Sequence, residues 1–109
     1  MYTVNGTTIT LTRGDTFRAI ITIYDAQGNE YTPESEDVVR FALKRTVEDR
    51  TPLILKTIDN ETMLLEIEPN DTKQLSFGSY IYDIEITLED GTVDTFIANA
   101  KLNLTVEVH

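Results

Sequence analysis

From Tyr80 to Glu89 the chain alternates without a break. Tyr80, Tyr82, Ile84, Ile86 and Leu88 fall on one side, and Ile81, Asp83, Glu85, Thr87 and Glu89 on the other. Successive side chains of a strand point to opposite faces, so this pattern predicts an extended strand with one buried face; a helix would spread the same apolar residues around its circumference. The period of two recurs along the chain. Thr8 to Thr12 sets Ile9 and Leu11 together, and Phe17 to Tyr24 sets Phe17, Ala19, Ile21 and Ile23 inward. Val39, Phe41 and Leu43 alternate with Arg40, Ala42 and Lys44; Leu53 to Ile58 reads as a shorter strand, and Met63, Leu65 and Ile67 share a face. In the last strand Phe96, Ala98, Ala100, Leu102, Leu104, Val106 and Val108 are in phase, with a bulge or bend expected near Ala98 to Ala100 because few strands run straight for so long.

Turn residues punctuate these runs. Ala26-Gln27-Gly28-Asn29 offers residues that tolerate positive φ, and Asp90-Gly91 predicts a two-residue hairpin. Pro33 with Glu34 to Asp37 reads as a surface connection, Glu48-Asp49-Arg50 as a break, and Asp59-Asn60 as a turn. Pro69 to Leu75 predicts one short helical turn near residues 70–75, capped by Asn70 or Asp71. About seven short strands separated by such signals predict an antiparallel β-sandwich, formed by residues 1–109 as one domain. Leu75, Gly78 and Tyr80 precede the strongest strand at the place of a tyrosine corner, where a buried ring sends its hydroxyl to a backbone group upstream; Tyr82 stands where antibody domains carry a cysteine. The expected fold is therefore all-β and immunoglobulin-like, held by packing alone, with a jelly roll as the alternative.

The composition removes whole classes of chemistry. No cysteine is present, so there is neither a disulfide framework nor a thiolate site, and the single histidine is His109. Nineteen acids against nine bases give a net charge of -10, which repels phosphate backbones and anionic lipid, so neither nucleic acid nor membrane is an expected partner. Met1 to Thr12 shows no signal-peptide pattern and no run of about 18 apolar residues occurs.

Several motifs invite a site. Arg13-Gly14-Asp15 spells an integrin tripeptide, but it reads as a tight turn between the first two strands. Asp83 and Glu85 lie i, i+2 on one strand face, roughly 7 Å apart; they project from a flat sheet beside Arg40 and Lys44, which points to surface pairing rather than a glycosidase pair. Asp25, Asn29, Asp90 and Asp94 lie near turns, where such residues cap the backbone, and none falls into an EF-hand spacing. Sequons begin at Asn5, Asn60, Asn70 and Asn103 and matter only in a secretory pathway. No catalytic, cofactor or metal residue is expected. The outer face of the sheet holding the third, sixth and seventh strands is the candidate interface: Val38, Arg40, Ala42, Ile81, Asp83 and Ile97 form a mixed patch there, with Lys44 and Glu85 among them. Tyr2, Tyr24 and Tyr31 are the aromatic candidates for weak glycan binding.

Five segments in order resemble a known family. They are Thr12-Arg13-Gly14-Asp15-Thr16, Val39-Arg40-Phe41-Ala42-Leu43-Lys44, Pro69-Asn70-Asp71-Thr72, Tyr80-Ile81-Tyr82-Asp83-Ile84-Glu85-Ile86, and Asp90-Gly91-Thr92-Val93-Asp94-Thr95. Together, over Thr8 to Val108, the chain resembles the immunoglobulin-like domains of phage and prophage structural proteins, such as the immunoglobulin-like module of the baseplate upper protein. The resemblance implies a non-enzymatic, tail- or baseplate-associated protein without cofactors, which contacts other virion proteins or itself. It would be found in the virion, or in the cytoplasm of a host bacterium before assembly. Such modules often sit inside longer chains. The alternative is a carbohydrate-binding β-sandwich module used in host-surface adhesion.

Overall fold

The computed structural model describes residues 2–25 and 27–106; the expectations for Ala26, Val108 and His109 lie outside the described residues. The chain is all-β. Its strands are β1 (Tyr2–Asn5), β2 (Thr8–Thr12), β3 (Phe17–Ile20), β4 (Ile23–Tyr24), β5 (Glu30–Tyr31), β6 (Val38–Lys44), β7 (Ile54–Ile58), β8 (Leu64–Ile67), β9 (Gly78–Thr87) and β10 (Val93–Thr105), with one helical turn, α1 (Pro69–Thr72), between β8 and β9. Six strands form one sheet in the order β1-β2-β10-β9-β6-β7, while β3 pairs with β8 and β4 with β5. All pairings are antiparallel except β2 with β10, which is parallel.

The two layers meet over one core. The six-stranded sheet contributes Ile9, Leu11, Val39, Phe41, Leu43, Tyr80, Tyr82, Ile84, Ile86, Leu102 and Leu104, and the β3–β8 pair contributes Phe17, Leu65 and Ile67. These are the residues that the alternation places inward, because a period-two apolar set can reach a core only from a single face.

The differences from expectation lie at the joints. The segment from Phe17 to Tyr24 is two strands: Met63, opposite it, adopts φ 57 and β8 begins only at Leu64, although the Ile21 N–H still reaches the Met63 carbonyl at 2.8 Å. Asn5 faces Thr8 across Gly6-Thr7, and Gly6 at φ 63 takes the first central position of a type II′ turn, so an additional strand, β1, precedes the first expected one. The Asp90-Gly91 hairpin has a three-residue loop. The Leu88 N–H bonds the Thr92 carbonyl at 2.8 Å and Gly91 at φ 93 closes back on Leu88. This is a tight turn followed by a left-handed glycine, a commoner arrangement for three residues. The helical turn is capped at Glu68 rather than at Asn70 or Asp71, and Asp71 instead sends its carboxylate back to the Glu68 N–H at 2.8 Å.

The bulge expected in the last strand is double. Thr95 faces Glu85, Ile97 faces Ile84 and Ala100 faces Tyr82, so β10 carries one extra residue in each interval. Each extra residue reverses the inward side. Ala98 is consequently exposed, Phe96 and Ile97 both pack against the core, and Asn99 takes φ 53. Among the described residues no helix is long and apolar enough to cross a membrane.

Candidate functional site

Among the described residues no second layer covers the outer face of the six-stranded sheet. On β6, burial of Val39, Phe41 and Leu43 forces Val38, Arg40, Ala42 and Lys44 outward; on β9, burial of Tyr80, Tyr82, Ile84 and Ile86 does the same to Ile81, Asp83 and Glu85. Register then sets the neighbours: Val38 faces Thr87, Arg40 faces Glu85, Ala42 faces Asp83 and Lys44 faces Ile81. Arg40 and Glu85 thus stand directly opposite, a favourable cross-strand pair. Leu55 on β7 lies opposite Ala42 and is 59% exposed, which extends the apolar part of the patch to the sheet edge. Its signal was present in the sequence, since three consecutive apolar residues, Leu53-Ile54-Leu55, cannot all face inward on a strand.

Ile97 does not belong to this face. It sits between the two bulges, opposite buried Ile84, and packs on the core. Asp83 is engaged by the same irregularity, accepting the Asn99 N–H at 2.7 Å and so holding the second bulge closed. The patch therefore consists of Val38, Arg40, Ala42, Lys44, Ile81, Asp83, Glu85 and Leu55.

Tyr80 is fully buried and its hydroxyl donates to the Ser76 carbonyl, four residues upstream, at 2.6 Å. The Arg45 guanidinium donates to the same hydroxyl at 3.2 Å. Leu75 packs against the core, and Gly78 opens β9 at φ 141. Tyr82 bonds the Thr7 carbonyl through its hydroxyl and so links β9 to the β1–β2 turn.

The remaining motifs serve local structure. Arg13-Gly14-Asp15 forms the expected turn, with the Asp15 N–H on the Thr12 carbonyl. The Gly14 N–H bonds the hydroxyl of buried Thr72 at 2.9 Å, and the Arg13 guanidinium lies 4.3 Å over the Phe77 ring. The tripeptide is thereby docked against the segment that leads into β9. Asp25 accepts the N–H groups of Gln27 and Asn29, and Asp90 accepts that of Thr92, which lowers its carboxyl pKa. Among the described residues no three His, Cys, Asp or Glu side chains come together as metal ligands would. Asn60 donates its amide to the carbonyls of Glu34, Ser35 and Asp37, and Asn103 accepts from the Ser79 hydroxyl.

The tyrosines considered for glycan binding do not form a row. Tyr2 lies on β1 with its ring against Phe17, whereas Tyr24 and Tyr31 lie on the β4–β5 pair. Tyr24 and Tyr31 line one cleft of about 220 Å³ with Phe96, Asp25 and Asp94. The connection runs over the surface at Glu34, Ser35 and Glu36, as expected, but is anchored inside at both ends: Pro33 and Asp37 are buried, and Asp37 accepts the Tyr31 hydroxyl at 2.7 Å and the Glu34 N–H at 2.9 Å. That carboxylate stabilises the protonated phenol and pushes the Tyr31 pKa up to about 12. A group whose pKa rises on folding contributes stability that is complete below its unfolded value of about 10 and fades as pH climbs through the folded value. The wild type should therefore lose stability between about pH 10 and 12 more steeply than Tyr31→Phe, as read by urea midpoints across that range. Equal slopes would show that the Tyr31–Asp37 bond contributes nothing to folding.

Neither a protein-family model nor a curated protein matches this chain.

Proposed function

We propose that this domain is an immunoglobulin-like structural module of a phage or prophage particle, associated with its tail or baseplate, that works by protein contact and not by catalysis. The strand arrangement supports the fold part of this reading. Strands β10, β9, β6 and β7 follow one another as G, F, C and C′ do, β3 and β8 stand where B and E stand in the opposite layer, and Tyr80 bonds back to Ser76 at the foot of the F-like strand. The observation that carries the functional part is the uncovered outer face, on which Val38, Ala42, Ile81 and Leu55 lie among Arg40, Lys44 and Glu85. An apolar centre with charged neighbours suits docking on another protein, and the flanking charges set its orientation. In this reading the protein resides in the virion, or in the host cytoplasm before assembly.

The test is mass spectrometry of particles purified from the source bacterium. The expected result is the chain in the tail fraction at fixed stoichiometry, with Ala42→Asp folded but lost from the particles. Particles without the chain, purified from cells that make it, would overturn the reading. A carbohydrate-binding module is the second reading, favoured by Tyr24, which is 62% exposed at the cleft shared with Tyr31 and Phe96. It predicts binding on a glycan array that Tyr24→Ala abolishes.

A further inference from the structure

The two edges of the six-stranded sheet are treated differently. At one end β7 carries Lys56, which turns inward to pair with Asp71 at 2.8 Å. An inward-facing charge on an edge strand is a recognised guard against pairing with another chain. At the other end β1, Tyr-Thr-Val-Asn, contains no charge, proline, glycine or bulge, and all four residues are exposed. Among the described residues no strand pairs with its second edge.

The absence of charge extends beyond β1. No residue from Tyr2 to Thr12 is charged, although at 26% charged residues a stretch of eleven would hold about three. This decides what kind of partner the edge suits. A chain of net charge -10 repels its own copies, and at a two-fold contact residues on the axis meet their own mates, so an uncharged strand brings copies together without adding like-charge repulsion at the seam.

Apolar surface lies beside the same edge. The second layer consists here of the two-stranded β3–β8 pair. Tyr2 reaches across to donate its hydroxyl to the Arg18 carbonyl on β3, yet remains 40% exposed; Val4 is 51% exposed and Ile20 67%. Val4 and Ile20 rim an apolar cleft of about 200 Å³ that runs down to Phe17, Leu65 and Ile84.

We propose that β1 is a homodimer seam, at which the β1 strands of two copies pair antiparallel about a two-fold axis through Thr3 to join the two six-stranded sheets. The pleat requires residues directly opposite on paired strands to share a face, and the register centred on Thr3, the one that sets Tyr2 against Val4, meets that requirement. Tyr2 and Val4 face the core side with Leu11 and Ile9, and Thr3 faces the other side with Thr10. Setting Thr3 against its own mate places each Tyr2 opposite the partner copy's Val4, an aromatic to β-branched pair on both sides of the axis. The seam buries the exposed parts of Tyr2 and Val4 and screens the cleft mouth. It does not rest on the particle reading, because it uses a different surface from the β6–β9 face.

Light scattering over a range of concentrations is expected to give a species of twice the 12.4 kDa chain mass, more populated at physiological than at low salt because the like net charges are then screened. Thr3→Lys sets two cations face to face on an exposed position and should return the mass to that of one chain, with an unchanged circular dichroism spectrum. Thr3→Cys introduces the sole cysteine. Opposed strand residues lie about 4.5–5.5 Å apart at Cα, within the range a disulfide spans, so mild oxidation should yield a covalent dimer far above the level given by Thr57→Cys on β7. Ala42→Asp, on the outer face, should leave the dimer intact. A single-chain mass at every concentration would overturn the proposal. So would a dimer that survives Thr3→Lys and is no better cross-linked by Thr3→Cys than by Thr57→Cys, because that dimer forms elsewhere.

Discussion

Phe41→Ala is expected to destabilise the domain by about 3–5 kcal/mol, the cost of deleting a fully enclosed aromatic ring and leaving a cavity. Phe41 lies in the middle of β6 with no exposed surface, and its ring centre is 5.3 Å from that of Tyr82 on the neighbouring strand. Ile84 stands opposite it on β9. The ring therefore touches the heart of the larger sheet, where little can collapse to fill the gap. Domains of this size are stable by roughly 5–15 kcal/mol, so the variant would keep only part of its cooperative unfolding transition. Urea denaturation gives the comparison, with Leu55→Ala beside it on the outer face expected to change stability by less than about 0.5 kcal/mol. Similar midpoints for the two variants would mean that Phe41 is not in the shared core.

Tyr80→Phe comes second, at about 1–3 kcal/mol for so small a change. Removing the hydroxyl leaves the Ser76 carbonyl without its 2.6 Å donor and takes an acceptor from the Arg45 guanidinium, while the ring still fills its place. A loss of that size lowers the melting temperature of a domain this long by about 4–8 °C per kcal/mol. Tyr24→Phe is the matched control, because Tyr24 is largely exposed and its change should fall within about 0.5 kcal/mol. An unchanged melting temperature in Tyr80→Phe would show that the hydrogen bond to Ser76 is replaced by water at no cost.

The parts of the fold legible in the sequence are those governed by neighbours along the chain. Alternation in Val39 to Leu43 and Tyr80 to Ile86 identified the buried side of both strands residue by residue, and hence the outward set of the candidate patch. Less legible were elements too short to show a period. The two-residue strand at Glu30–Tyr31 is too short to alternate, and the four-residue strand at Tyr2–Asn5 alternates through only two apolar residues, Tyr2 and Val4, with Gly6 as the turn signal that follows it. Asp37 reads as a solvated acid among Glu34 to Asp37, and only the approach of Tyr31 makes it a buried acceptor.

Ile97 shows where the division falls. The phase of Phe96, Ala98 and Ala100 counts it outward, and a bulge was expected close by, yet it packs inward because β9 has one residue fewer than β10 in each of two successive intervals. Phase along a strand is a local property, settled by pleat geometry and by which side chains shun water, and the amino-acid sequence alone determined it. Where the count slips depends on the partner strand and on Asp83, which holds the Asn99 N–H. Those partners are distant in sequence, so only the tertiary structure could decide that Ile97 joins the core, that Asp37 is buried, and that β1 is left as an open, uncharged edge.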